Sequence, residues 1–317
     1  MQATVTSFPG KMKALTVQTL LSLSFAFTYA QNADPKEATP VNDTKSKAVS
    51  SMVADSPVSF PEKGALPRKF VPDIATSKIK LTEGYSFTST PCRSNGQIDT
   101  IQKEMPEGQF EAVPTDWEAL PQTEKILQEG GDLHILGLGD SIMNDIMRSG
   151  WVGKLQEAYP KAKIKANVYV RGGGACHHYR EEGRVQKVIV PAKPDVVFIG
   201  GISQKGDIDS IREVIHQIRA GLPDSEILLG SGLFGGFDPR DEKKMATAQH
   251  SGIGKYGAGL QKLAKEENCA YLNMTTPWMQ YIQSSGKHPH IFYRDRVHAN
   301  EYGEQIASKI LLSFFRE

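Results

Sequence analysis

The sequence predicts an α/β fold, a three-layer α/β/α sandwich around a central parallel sheet of about five strands, preceded by an N-terminal extension. Three observations point there. From Leu133 onward, short apolar runs alternate with amphipathic helical segments, the pattern of parallel strands joined by crossover helices. Val196-Val197-Phe198-Ile199 is apolar without alternation, as suits a strand covered on both faces. Ile208, Ile211, Val214, Ile215 and Ile218 recur at helical spacing and run into Gly221-Leu222-Pro223, a helix stop.

In chain order, residues 1–30 read as a secretory signal peptide. Lys11 and Lys13 form a basic start, Leu15 to Phe27 a moderately apolar stretch, and Thr28-Tyr29-Ala30 a small-residue cleavage site near Ala30. The stretch is short and hydroxyl-rich for a membrane anchor, so no stable membrane insertion is expected after cleavage, and a secreted or periplasmic location is. Residues 31–67 are polar and Pro/Ser/Thr-rich, a flexible linker. Residues 68–130 read as an extension packing on the main domain, with a separate binding module as the alternative. Ile79-Lys80-Leu81 and Tyr85-Ser86-Phe87-Thr88 suggest short strands, and Trp117 to Leu127 a helix capped by Asp116.

Residues 131–317 form the predicted sandwich. Its strands are expected at Leu133–Leu138, Ile164–Val170, Val196–Ile199, Ile227–Leu229 and Ala270–Leu272. One helix should run through Trp151, Leu155 and Tyr159, and another through Leu260, Leu263 and Ala264. The last should start near Asn300 and bury Tyr302, Ile306, Ile310, Leu311 and Phe314. Of the 317 residues, 39% are hydrophobic and 23% charged, which suits a globular protein; the formal net charge of +1 argues against nucleic acid as a partner. Cys92, Cys176 and Cys269 allow one disulfide or three buried thiols, and spacing does not choose.

Ligands of such sheets bind at the carboxyl ends of the strands. Ser141 follows the first strand, Gly172-Gly173-Gly174 the second, and Gly200-Gly201-Ile202-Ser203-Gln204 the third. Asp295-Arg296-Val297-His298 precedes the last helix. Serine, histidine and carboxylate are the parts of a nucleophilic hydrolase: serine attacks, histidine takes its proton, and the carboxylate orients the histidine. Read alone, Asp140-Ser141 is equally a helix cap. Cys176, His177 and His178 are spaced wrongly for a structural metal site, and no metal is expected. His177, His178 and Tyr179 are instead expected on the rim of the pocket. His288 and His290 read as loop residues. Arg294 and Arg296 read as structural ion-pair partners, with an acidic sugar as the other use of a basic rim.

These blocks, in this order, resemble the SGNH, or GDSL, hydrolases over about residues 131–317. The resemblance implies a flavodoxin-like sandwich in which Ser141 is the nucleophile, His298 the general base and Asp295 its orienting carboxylate. Gly174, or Gly173 in the alternative register, would supply an oxyanion N–H, and Gly303 matches the glycine that accompanies the last block. The third block departs from the pattern. Where the family has Asn-Asp, this chain has Ser203-Gln204, so either residue would have to replace the oxyanion amide, or backbone N–H groups would serve. Loss of one such donor typically costs about 10²–10³ in rate. The resemblance implies an exported serine esterase without a cofactor, removing an acyl group, acetyl foremost, from a small-molecule, oligosaccharide or polysaccharide ester. A lipase, lysophospholipase or thioesterase, and an inactive carbohydrate-binding homologue, are the alternatives.

Overall fold

The computed structural model describes the backbone of residues 78–81 and 85–89, and residues 93–316 apart from 182, 202–205, 234–237, 244–251 and 296. The expected signal peptide and linker, Cys92, Ser203, Gln204 and Arg296 lie outside the described residues.

Among the described residues seven strands form one sheet: β1 (Lys78–Leu81), β2 (Tyr85–Ser89), β3 (Gly131–Gly139), β4 (Ala162–Val170), β5 (Val196–Gly200), β6 (Glu226–Gly230) and β7 (Ala270–Leu272), in the order β1-β2-β4-β3-β5-β6-β7. The five strands β4-β3-β5-β6-β7 are all parallel, the predicted sandwich sheet. The β1–β2 hairpin extends it antiparallel beside β4.

Alternation along the strands sorts side chains into two layers. Leu133 and Ile135 of β3, Val196 and Phe198 of β5, and Ala270 and Leu272 of β7 face one core. Leu136 and Leu138, Val197 and Ile199, and Ile227 and Leu229 face the other. The first core is covered by α2 (Pro121–Glu129), α3 (Ser141–Arg148), α4 (Trp151–Ala158), α8 (Thr275–Ser285) and α9 (Glu301–Phe314). The second lies under α5 (Ala175–Tyr179), a π-helical turn at Val185–Ile189, α6 (Ile208–Gly221) and α7 (Gly252–Glu266). Burying a side chain such as Phe198 or Leu311 contributes roughly 1.5–3 kcal/mol each. The extension adds α1 (Asn95–Glu104), which begins with a Ser94–Gln97 capping box and buries Ile98 and Ile101.

The helices differ from expectation at three places. The segment after β3 is two helices, because Gly150 breaks it with φ 82°. A Cβ there would sit 2.5 Å from Ile98 Cδ1, so the break also admits α1. Trp117–Leu127 is a 3₁₀ turn (Trp117–Ala119) followed by α2, and Asp116 makes no capping bond. Pro121 explains this: it has no N–H for the carbonyl four residues back and drives Leu120 out of helical geometry, to φ −131° and ψ 44°. Helix α8 was not foreseen. Tyr302 is half-buried in α9, whereas Ile306, Ile310, Leu311 and Phe314 are buried as expected.

Candidate active site

Strand register sets the site. Gly139 of β3 is level with Val170 of β4 and Gly200 of β5, so the turns after these strands leave the sheet side by side. The sheet order reverses here, β4 lying on one side of β3 and β5 on the other, which is where crevices form in such folds. The glycines of Gly137-Leu138-Gly139 make room for α3. A Cβ on Gly137 would lie 2.8 Å from Met147 Cγ, and one on Gly139 2.7 Å from Met143 Cβ, both on α3 (Ser141–Arg148). Helix α3 is thereby pressed onto the sheet with its first turn at the strand ends.

Asp140, not Ser141, caps that helix: its carboxylate accepts from the Ile142 N–H at 2.9 Å. Ser141 occupies the first helical position, and its Oγ is 2.8 Å from His298 Nε2. The His298 ring Nδ1 lies 2.8 and 3.0 Å from the two Asp295 carboxylate oxygens. Asp295 is positioned by its own turn, accepting from the N–H groups of Val297 at 2.9 Å and His298 at 2.8 Å. With Nδ1–H donated to Asp295, Nε2 is left as the acceptor for the serine hydroxyl.

The electrostatics follow from these contacts. Partial burial would push the Asp295 carboxyl up, but the hydrogen bonds from the His298 ring and from two backbone N–H groups outweigh it and hold the group at about 2. The same ring bond raises the His298 pKa above 6.5, against its own partial burial. Asp295 is therefore anionic at neutral pH, and an imidazolium at His298 is stabilised beside it.

The loop is clamped from below. Tyr293 and Ala299 form an isolated antiparallel bridge. Asn300 caps α9 by accepting from Tyr302 and Gly303 N–H groups, and it donates to the Ile291 carbonyl at 2.7 Å. Beneath it, Trp278 Nε1–H donates to the buried Tyr293 hydroxyl at 2.8 Å.

The glycine turn after β4 is less simply arranged. Gly173 is exposed and left-handed, φ 71°. The Gly174 N–H donates back to the Arg171 carbonyl at 2.9 Å, so the favoured oxyanion donor is engaged in a turn. Gly201, φ 103°, lies against the cap, since a Cβ there would be 2.3 Å from Asp140 Oδ1. Ser203 and Gln204, just beyond it, fall outside the described residues.

Other expected residues take other places. Tyr179 does not line a rim; it and Cys176 are fully buried in the second core, because they share the inward face of α5. His177 is exposed on the opposite face, 3.1 Å from Asp207. His288 and His290 pack ring against ring, their Nδ1 atoms 2.6 Å apart. Arg294 pairs with Asp145 at 2.8 Å. Cys176 and Cys269 are free and buried, and burial pushes both thiols up. Among the described residues no group of three or more His, Cys, Asp or Glu is arranged to hold a metal, and no helix is long and apolar enough to cross a membrane. Asp145 was the residue sequence reasoning missed; its signal is a carboxylate on the buried face of α3, among Ile142, Met143 and Ile146.

Fold and site together define an α/β sandwich with a hydrogen-bonded Ser-His-Asp line at the carboxyl edge of its parallel sheet. No family model matches the chain, and no curated protein sequence matches it. Among solved structures, it is similar to a two-domain esterase active on acetylated mannans, co-crystallised with mannopentaose. That match has a TM-score of 0.50 and 14% identity over 65% of this chain and 54% of the other. It is also similar to an acetyl xylan esterase (TM-score 0.46, 20% identity, 57% of this chain and 98% of that one). A third is a variant of an acetyl-xylooligosaccharide esterase from Geobacillus Stearmophilus (TM-score 0.47, 18% identity, 59% and 95%). At these identities the likeness concerns the fold alone, an α/β sandwich.

Proposed function

We propose that this chain is an exported serine esterase of the SGNH/GDSL type that removes an acyl group, foremost acetyl, from a carbohydrate. The observation that supports this reading is the continuous line of hydrogen bonds from Ser141 Oγ through the His298 ring to Asp295. In this mechanism His298 Nε2 takes the hydroxyl proton as Ser141 Oγ forms a bond to the ester carbonyl carbon. The tetrahedral intermediate collapses, the C–O bond to the sugar breaks, and His298 returns the proton to the leaving alkoxide. Water then attacks the acyl-serine with His298 as base, releasing carboxylate and free Ser141. Asp295 fixes the ring tautomer and stabilises the imidazolium. The Ser141 N–H at the start of α3 would face the oxyanion, with Gly173 or Gly174 and a donor from Ser203 or Gln204 completing the hole. The chemistry uses side chains, backbone and water.

Acetate release from acetylated oligosaccharides tests this, with mannan-derived substrates screened first because the similar two-domain esterase acts on acetylated mannans. The expected result is release by the wild type, none by Ser141→Ala, and preference for acetyl over octanoyl p-nitrophenyl esters. A preference for octanoate would favour a lipid or thioester substrate. Equal activity of Ser141→Ala would remove the serine mechanism.

A further inference from the structure

We propose that Arg294 and Asp145 are positioning residues, an ion pair that fastens the loop carrying Asp295 and His298 to the helix carrying Ser141. This rests on the triad reading above. Asp145 lies four residues beyond Ser141, one turn along α3 on the same side. Its side chain is fully buried. Arg294 directly precedes Asp295. Its Nη2 donates to Asp145 Oδ1 at 2.8 Å, and its Nη1 to the carbonyl of Ala299, the residue after His298, at 2.6 Å. The Arg294 backbone N–H donates to the His298 carbonyl at 3.0 Å. One residue therefore closes the loop over its two functional side chains and anchors it to the helix that presents the nucleophile.

Asp145 is fully buried and Arg294 partly exposed, and such an ion pair is a weak source of stability, since desolvation of the carboxylate offsets much of the attraction. Here the second Asp145 oxygen has no hydrogen-bond partner among the described residues, so the pair is not optimised there as a stabiliser. What it does supply is direction. The planar guanidinium reaches two acceptors on different elements at fixed angles, a geometry that lysine does not reproduce.

The pair also faces the general base electrostatically. Asp145 is approached by Arg294 from the loop and by Glu304 from α9. Glu304 is in turn held by Arg93 at 2.6 Å and approached by Arg148 of α3 at 3.7 Å and Arg294 at 4.0 Å. Burial pushes the Asp145 carboxyl up to about 6 against the pull of Arg294, leaving it mostly anionic above neutral pH. That charge favours the His298 imidazolium, and the Arg294 charge opposes it.

The test uses the full chain with Asp145→Asn, and a neutral Asp145→Asn/Arg294→Gln double variant in case an unpaired, partly buried cation prevents folding. Two readouts are needed: the His298 pKa from its ring-proton NMR titration, assigned with His298→Gln, and kcat and KM on an acetyl ester. In folded Asp145→Asn the His298 pKa should fall and kcat should drop about 10–100-fold with KM within about twofold, as small misplacements of reacting groups do. The folded double variant should show the kcat loss. An unchanged His298 pKa and kcat in folded Asp145→Asn would overturn the proposal. So would failure of the double variant to fold, which would make the pair a requirement of the fold. A wild type that hydrolyses no ester would overturn the esterase reading instead, while the NMR titration would still report the Asp145–His298 coupling.

Discussion

Replacing Gly303 by Ala should weaken both the fold and the site, although helix propensity alone favours Ala by about 1 kcal/mol in a helix interior. Gly303 lies in the first turn of α9, where it is buried against the triad loop. A Cβ there would meet the Phe292 carbonyl oxygen at 2.2 Å, Ala299 Cβ at 2.9 Å and Trp278 Cη2 at 2.9 Å. Neither a backbone carbonyl nor a fully buried indole can swing aside as a long surface side chain would. Overpacking of this kind costs typically 1–3 kcal/mol, so the net loss after the propensity gain is up to about 2 kcal/mol. For a domain of this size that is up to roughly 8 °C in Tm. The displaced atoms are the two ends of the loop that carries Asp295 and His298. A shift there lengthens the 2.8 Å contact of His298 with Ser141, and displacement by about 1 Å costs on the order of 100-fold in rate. Thermal unfolding followed by circular dichroism and kcat on p-nitrophenyl acetate check both parts. A Gly303→Ala protein that melts at or above the wild-type temperature with full activity would refute the packing argument.

Other expectations follow from the same contacts. Catalysis needs neutral His298, whose pKa is raised by Asp295, so kcat/KM should fall as pH drops through a midpoint above 6.5. Asp295→Asn should move that acid limb to lower pH and reduce kcat by about 10³–10⁴-fold; a pH–rate profile reads both, and an unmoved limb would detach Asp295 from His298. Tyr293→Phe leaves the buried Trp278 N–H without its acceptor and should cost about 1–3 kcal/mol in denaturant unfolding, whereas no loss would mean that the bond is replaced.

The central strands were legible in the sequence because a strand covered on both faces must be apolar throughout, as Val196-Val197-Phe198-Ile199 is. Helix α6 was legible to the residue at its end, since Gly221-Leu222-Pro223 is a local stop. What escaped depends on distant partners. Helix α8 opens with two threonines and Pro277, a weak start; the N–H groups of Met274 and Thr275 are accepted by Ser231, at the end of β6. The hydroxyl supplying its cap is more than forty residues away in the chain. Tyr179 was misplaced because five residues around it show too little periodicity to separate the buried face of α5 from the exposed one. In the site, Ser141, Asp295 and His298 stood out as chemistry-bearing types at sheet-edge positions. Asp145 did not, because its partner lies 149 residues away. The direction of the Gly174 N–H is a property of the folded turn, which three consecutive glycines leave open.

The most direct test is covalent labelling with a fluorophosphonate, which reacts with a serine activated by a neighbouring base. Peptide mapping of the labelled protein should place a single adduct on Ser141 in the wild type and strongly reduced labelling in His298→Gln. No adduct on the folded wild type, or an adduct on another serine that survives Ser141→Ala, would contradict the account.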